Sequence, residues 1–276
     1  MKILIENDQI TVFQSDIYKT NSTVIHTNDC VIVVDPTWLP SEIETIKQYV
    51  YKTKKNRPLY LLFTHSDYDH VLGYGAFPDA IAIGSEELLK FSNTPEKVQH
   101  VLDEIESFDH QYYLDRSYKV SFPKLDIVIH NDEETLQIGE TKLTFYLAKG
   151  HTEDGLMMVV DSLGVLIAGD YLSDVEFPFI YDSSSNYEET MSKLPSLIDK
   201  YQIQLLVPGH GSPTDCHDDI MDRQRKSLQY IKELRNYIES NQIEDSYEMI
   251  NSYKYTRGLK ACHQSNIEVL KKELCM

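Results

Sequence analysis

No run in these 276 residues comes near the roughly 20 consecutive apolar side chains a helix needs to span a bilayer. No leader is read either, because Met1-Lys-Ile-Leu-Ile-Glu-Asn-Asp8 has only a short apolar stretch and meets acid at once. A cytoplasmic protein with no membrane partner is expected. Positive charge is scarce, with 26 Lys and Arg against 44 Asp and Glu and a formal charge of −18. Such a surface repels phosphate backbones, so no nucleic-acid partner is expected. The one short basic run, Lys52-Thr-Lys-Lys-Asn-Arg57, reads as the solvated end of a helix. The four cysteines, Cys30, Cys216, Cys262 and Cys275, are far apart and form no Cys-x-x-Cys pair, which excludes a zinc knuckle or disulfide framework. There is no short-period repeat, low-complexity tract or clear linker.

What remains is a strand-rich chain with helices between. Lys2–Ile5, Ile10–Phe13 and Ser22–His26 are short β-prone runs broken by Asn and Asp. Val31–Val34 is a wholly apolar strand ending in Asp35-Pro36. Ser41-Glu-Ile-Glu44 fits a capping box that opens a helix to about Val50. Next come the apolar run Leu59–Phe63, a strand over Ala80–Ile83 and a helix from Ser85. A charged insertion, partly helical, occupies residues 92–120. Strands resume at Ile127–Ile129, Glu134–Gln137 and Lys142–Leu147. Leu156–Val160 and Val165–Ala168 form a hairpin across Asp161-Ser-Leu-Gly164. A helix over Tyr187–Tyr201 and a strand over Leu205–Val207 precede helices that run from Asp218 to the end. Strand, helix and ligand-bearing loop in alternation predict α/β layering.

Four of the apolar runs end in metal-ligating residue types. The first delivers His65, Asp67, Asp69 and His70, and later ones deliver His151, Asp170 and His210. Glycine stands beside His151, Asp170 and His210, where the backbone must turn sharply. Any one of these taken alone reads as a packed histidine or an ordinary Gly-Asp turn. Such accidents do not combine well at four strand ends. His26, His100, His110, His130, His217 and His263 lack that placement and read as ordinary.

The set resembles the metallo-β-lactamase superfamily, whose main motif is His-x-His-x-Asp-His followed by a distant His, Asp and His. Here it stands as His65-Ser-Asp67-Tyr-Asp69-His70, Gly-His151-Thr, Ala-Gly-Asp170 and Pro-Gly-His210-Gly, with Val31–Asp35-Pro36 as the early strand and structural Asp. The resemblance covers about residues 20 to 215. It implies a four-layer αββα sandwich over residues 1–215, with 216–276 as a helical extension packed on the same domain. It also implies two divalent metal ions, one on His65, Asp67 and His151 and the other on Asp69, His70 and His210, with Asp170 bridging.

Asp67 departs from the pattern, since most members have a second His there. Two divalent ions, a bridging hydroxide and two aspartates leave a net +1, whereas a third aspartate makes the site neutral. A neutral site acidifies its water less. Zinc is expected, and the oxygen ligand brings iron or manganese into range. The implied reaction is hydrolysis of a small-molecule ester, thioester, lactone or phosphoester, of the glyoxalase II or lactonase kind. A hydroxide held between the ions attacks, and Asp69 orients it or carries a proton. Tyr68, Tyr171 and Tyr181 lie near the motifs and could donate to substrate, although packing is their default. Phe177-Pro-Phe-Ile-Tyr181 and the C-terminal helices are the expected pocket walls. Two other readings stand: a redox di-iron protein related to flavodiiron proteins, although no flavin-binding phosphate loop follows His210, and a non-catalytic metal-binding protein. Either a monomer or a homodimer fits.

Overall fold

The computed structural model describes residues 1–275. Twelve strands form two sheets. The first holds β1 (Lys2–Glu6), β2 (Ile10–Gln14), β3 (Asn21–His26), β4 (Val31–Val34), β5 (Leu59–Leu62), β6 (Ile81–Ser85) and β7 (Ile127–Ile129), paired in that order. β1 to β4 meander antiparallel, then β4 to β7 run parallel. The second sheet has the order β12-β11-β10-β9-β8, from β8 (Glu134–Ile138), β9 (Thr141–Leu147), β10 (Leu156–Val160), β11 (Val165–Ile167) and β12 (Leu205–Val207).

Parallel neighbours need crossovers. The first sheet gains them from α1 (Pro40–Thr53), then the short α2 (Tyr68–Val71), then α3 (Glu86–Ser92) with α4 (Pro95–Tyr112). The predicted insertion is mainly α4, which buries Val101 and Ile105 against that sheet's outer face. Helices α5 (Ser184–Tyr201), α6 (His217–Glu239), α7 (Ile243–Ser246) and α8 (Thr256–Glu273) follow β11 and β12. Met191, Leu194, Ile231, Leu234, Ile267 and Leu270 from α5, α6 and α8 share one core with the outer face of the second sheet.

Alternation along the strands builds the layers. Val31 and Val33 face α1, while Ile32 and Val34 point between the sheets to meet Phe145, Met158 and Ile167. The result is helices, sheet, sheet, helices: the αββα sandwich. No described helix is long and apolar enough to cross a membrane.

The start of α1 differs from expectation. Its N-cap is Leu39 rather than Ser41, with Pro40 at the first helical position. Leu39 has no side-chain acceptor, so Glu42 caps alone. Its buried carboxylate accepts the N–H groups of Leu39 at 3.0 Å and Trp38 at 3.3 Å, and the Ser15 hydroxyl at 2.8 Å. A capping acid with Pro two residues before it carries the same physics in a different register.

Candidate metal centre

Topology brings the ligand-bearing loops to one edge. β9 and β11 both pair antiparallel with β10, and β12 is parallel to β11, so β9, β11 and β12 all end on the same side. His151, Asp170 and His210 follow those ends. Residues 65–70 follow β5, and an isolated bridge between Thr20 and His210 ties the two sheets together there.

Two groups of side chains converge. In the first, the Asp67 carboxylate lies 3.6 Å from His65 Nε2 and 3.3 Å from His151 Nε2, and Asp170 lies 3.5 and 3.3 Å from the same nitrogens. In the second, Asp69 lies 3.7 Å from His70 Nε2 and 3.5 Å from His210 Nε2. Asp170 also reaches His70 at 3.2 Å and His210 at 3.3 Å, so one carboxylate touches all four imidazoles. The ligating atoms within each group lie within 4.8 Å of one another. All seven residues singled out in the sequence therefore meet at one point.

Each histidine is held from behind. His70 Nδ1 donates to Asp35 at 2.9 Å, His151 Nδ1 to the Phe179 carbonyl at 2.8 Å, and His210 Nδ1 to the Tyr18 carbonyl at 3.0 Å. His65 Nδ1 lies 3.0 Å from the Thr64 hydroxyl, which itself donates to Asp35. A carbonyl or carboxylate only accepts, so Nδ1 carries the proton and Nε2 faces the centre, as metal-ligating imidazoles require. His65 Nε2, His151 Nε2 and Asp170 Oδ1 are buried with no hydrogen-bond partner. Buried polar atoms of this kind need a partner, and converging nitrogen and oxygen donors of this chemistry fit divalent cations.

The electrostatics agree. Burial opposes charge on His70 and His151, but Asp170, together with Asp69 for His70 and Asp67 for His151, holds both well above the ordinary imidazole value. His210 is pushed up to about 10 against the same burial, by Glu176 and Asp170. Burial works against ionising Asp67 and Asp170, yet the surrounding imidazoles hold both well below the usual carboxylate range. A cluster that attracts protons this strongly attracts metal cations for the same reason.

Close backbone approach makes the glycines necessary. A Cβ on Gly209 would sit 2.1 Å from Asp170 Oδ1, and one on Gly150 (φ +123°) 2.2 Å from the Tyr187 backbone nitrogen. The centre forms the floor of a cavity of about 810 Å³. Tyr68 and Tyr181 line it, but Tyr171 does not: its buried hydroxyl is spent on the Lys149 carbonyl at 2.7 Å and the His151 N–H at 2.9 Å. Sequence reading missed Glu176, which also lines the cavity and lies 3.9 Å from His210 Nδ1. Burial lifts its carboxyl up to about 7; His210 opposes the rise and Asp170 adds to it. The signal available was one acid in the otherwise apolar run Val175–Ile180. Lys254 and Arg257, also missed, line the same cavity.

A family model described as "Metallo-beta-lactamase superfamily" matches residues 16–237. A metallo-beta-lactamase type 2 of Bacillus sp. (strain 170) is 23% identical over 210 residues, 75% of this chain and 72% of that one. The acyl-coenzyme A thioesterase MBLAC2 of Bos taurus is 25% identical over 159 residues, 56% of each chain. A solved metallo-beta-lactamase family protein of Thermus thermophilus superposes with a TM-score of 0.66 at 16% identity, over 97% of this chain and 94% of its own. With the family model spanning most of its length and the sandwich shared, the chain belongs to the metallo-beta-lactamase superfamily.

Proposed function

We propose that the protein is a metal-dependent hydrolase of small-molecule esters, thioesters, lactones or phosphoesters. Two divalent ions, zinc first, would be held by His65, Asp67 and His151 and by Asp69, His70 and His210, with Asp170 between them. The observation that carries this reading is the convergence of buried, unpartnered imidazole nitrogens on a carboxylate at the floor of a substrate-sized cavity. Bound there, such ions supply an activated water at neutral pH and Lewis acidity toward the scissile group.

The chain's own residues do the rest. Asp69, whose carboxylate accepts the Thr20 hydroxyl at 3.2 Å, orients the nucleophilic water and takes its proton. The Glu176 carboxyl, with its raised pKa, lies on the cavity wall, where it can return a proton to a leaving group. Phe179, Tyr181 and Leu259 offer apolar surface to an acyl chain. Lys254 and Arg257 have no acidic partner within 4.0 Å among the described residues. Unpaired cations on the wall of a cavity in so acidic a chain favour an anionic substrate, and a thioesterase among the relatives is consistent with an anionic thioester.

The test is turnover of matched neutral and anionic ester, thioester, lactone and phosphodiester substrates after loading with Zn²⁺, Mn²⁺ or Fe²⁺. Hydrolysis of at least one class, abolished in His65→Ala/His151→Ala, is expected. Loaded protein that turns over none of them, with any of the three metals, rejects the reading.

A further inference from the structure

The Phe179–Ile180 peptide group links the candidate metal centre to the C-terminal helices. Its carbonyl accepts the His151 Nδ1 proton at 2.8 Å, and its N–H donates to Asn266 Oδ1 at 2.8 Å. The two bonds leave opposite sides of one planar trans unit, so fixing one side fixes the other. Asn266, on α8, is completely buried. Its amide nitrogen donates to the Pro178 carbonyl at 2.6 Å and to the Tyr230 hydroxyl at 2.9 Å. Asn266 thus brackets Phe179 from both neighbouring residues.

The bonds behind Asn266 close without a loose end. Tyr230 donates to His263 Nδ1 at 2.7 Å, His263 Nε2 lies 3.0 Å from the Ser246 hydroxyl, and Ser246 donates to the Ile243 carbonyl at 2.6 Å. Phe177 stacks on Tyr230 with ring centroids 4.7 Å apart, which packs the other end of the 177–180 segment on α6. Satisfied buried networks of this kind hold a single geometry.

We propose that Asn266 is a positioning residue for the candidate metal ligand His151, acting through the 179–180 peptide, so that the C-terminal helices complete the first metal-binding group. The inference rests on the reading that His151 holds a metal. Groups that orient a ligating imidazole from behind carry about 10- to 100-fold in metal affinity. Asn266 acts one group further out, and the lower end of that range, about tenfold, is expected.

The test is Zn²⁺ affinity by chelator competition on the full chain, resolved into two binding steps and read beside the thermal midpoint. Asn266→Ala weakens the step assigned to His65, Asp67, His151 and Asp170 about tenfold. The step assigned to Asp69, His70 and His210 stays within about twofold. Tyr230→Phe breaks the same network one residue further back. It lowers the thermal midpoint yet leaves both steps unchanged, because the Ile180 N–H keeps its acceptor. Asn266→Asp keeps the shape and that acceptor. Fully buried against the Pro178 carbonyl, its carboxyl stays protonated and donates there in place of the amide. It therefore restores the first step to within about threefold of native, and it also serves where Asn266→Ala does not fold. Equal losses in Tyr230→Phe and Asn266→Ala, or equal weakening of both steps, reduce Asn266 to general packing and overturn the proposal. Native protein that binds no Zn²⁺ at all removes instead the functional reading beneath it.

Discussion

Among single residues, Asp67 sets the character of the centre. Its side chain is 30% exposed while the other six are 9% exposed or less, so it is the most exposed of the ligand candidates. A carboxylate here adds a third negative charge and a hard oxygen donor, and both favour manganese or iron relative to a site with imidazole. Asp67→His should therefore raise the preference for Zn²⁺ over Mn²⁺ about tenfold, measured by chelator competition with each ion. An unchanged or inverted ratio would mean that Asp67 does not ligate. This residue was legible because it stands in a dense run of ligands after an apolar strand. The Phe179 and Tyr18 contributions were not, since both act through backbone carbonyls that every residue possesses. Asn266 was hidden for a related reason: an asparagine on a helix carries no mark of what it will meet.

At the level of elements, apolar runs located the central strands well, because β4, β5 and β10 are buried along their whole length and read as continuous hydrophobe. Helix starts were less legible, as α1 shows, because caps depend on backbone geometry. Helix α5 adds a case that neither pattern nor propensity contains. Pro195 lies inside it and has no N–H, which leaves the Met191 carbonyl without its helical partner. Gln224 of α6 fills that place with an amide donor at 2.8 Å. Gln224→Met should cost about 1–3 kcal/mol by leaving a buried carbonyl unpaired. In a Pro195→Ala background the helix regains its own bond, and the same substitution should cost under about 1 kcal/mol. Urea unfolding of the four proteins measures the coupling, and additive costs would disprove the compensation. α8 carries a pH term of its own through His263, fully buried and depressed by that burial to about 4. The unfolded imidazole, near 6.5, binds its proton first as pH falls, so stability present above 6.5 drains away between 6.5 and 4. The shift amounts to about 3 kcal/mol at 1.36 kcal/mol per unit. The stability gap between native protein and His263→Phe should shrink by that order from pH 7.5 to pH 4; a constant gap would show that His263 binds its proton equally in the folded and unfolded states.

Over the whole molecule, the net charge of −18 and the cavity wall pull in opposite directions. Long-range repulsion slows an anionic substrate, while Lys254 and Arg257 attract it locally, and magnitude decides between them. Two charges about 10 Å apart in water interact by about 0.4 kcal/mol. Reversing both cations to Glu changes the energy of a monoanion by about 1.6 kcal/mol, roughly tenfold in KM at low ionic strength. With a Debye length near 8 Å at 0.15 M salt, the same change falls to about 0.5 kcal/mol, roughly twofold. The distant acids of the surface are screened more completely, so local attraction governs at physiological salt. Lys254→Glu/Arg257→Glu should therefore raise KM for an anionic thioester about tenfold in 10 mM salt and about twofold in 0.15 M, leaving KM for a neutral ester and kcat for both unchanged. Steady-state kinetics at the two salt concentrations separates the cases. A KM change of equal size for the neutral ester would mean that the substitutions deform the wall, and no change for either would place the anionic group away from Lys254 and Arg257.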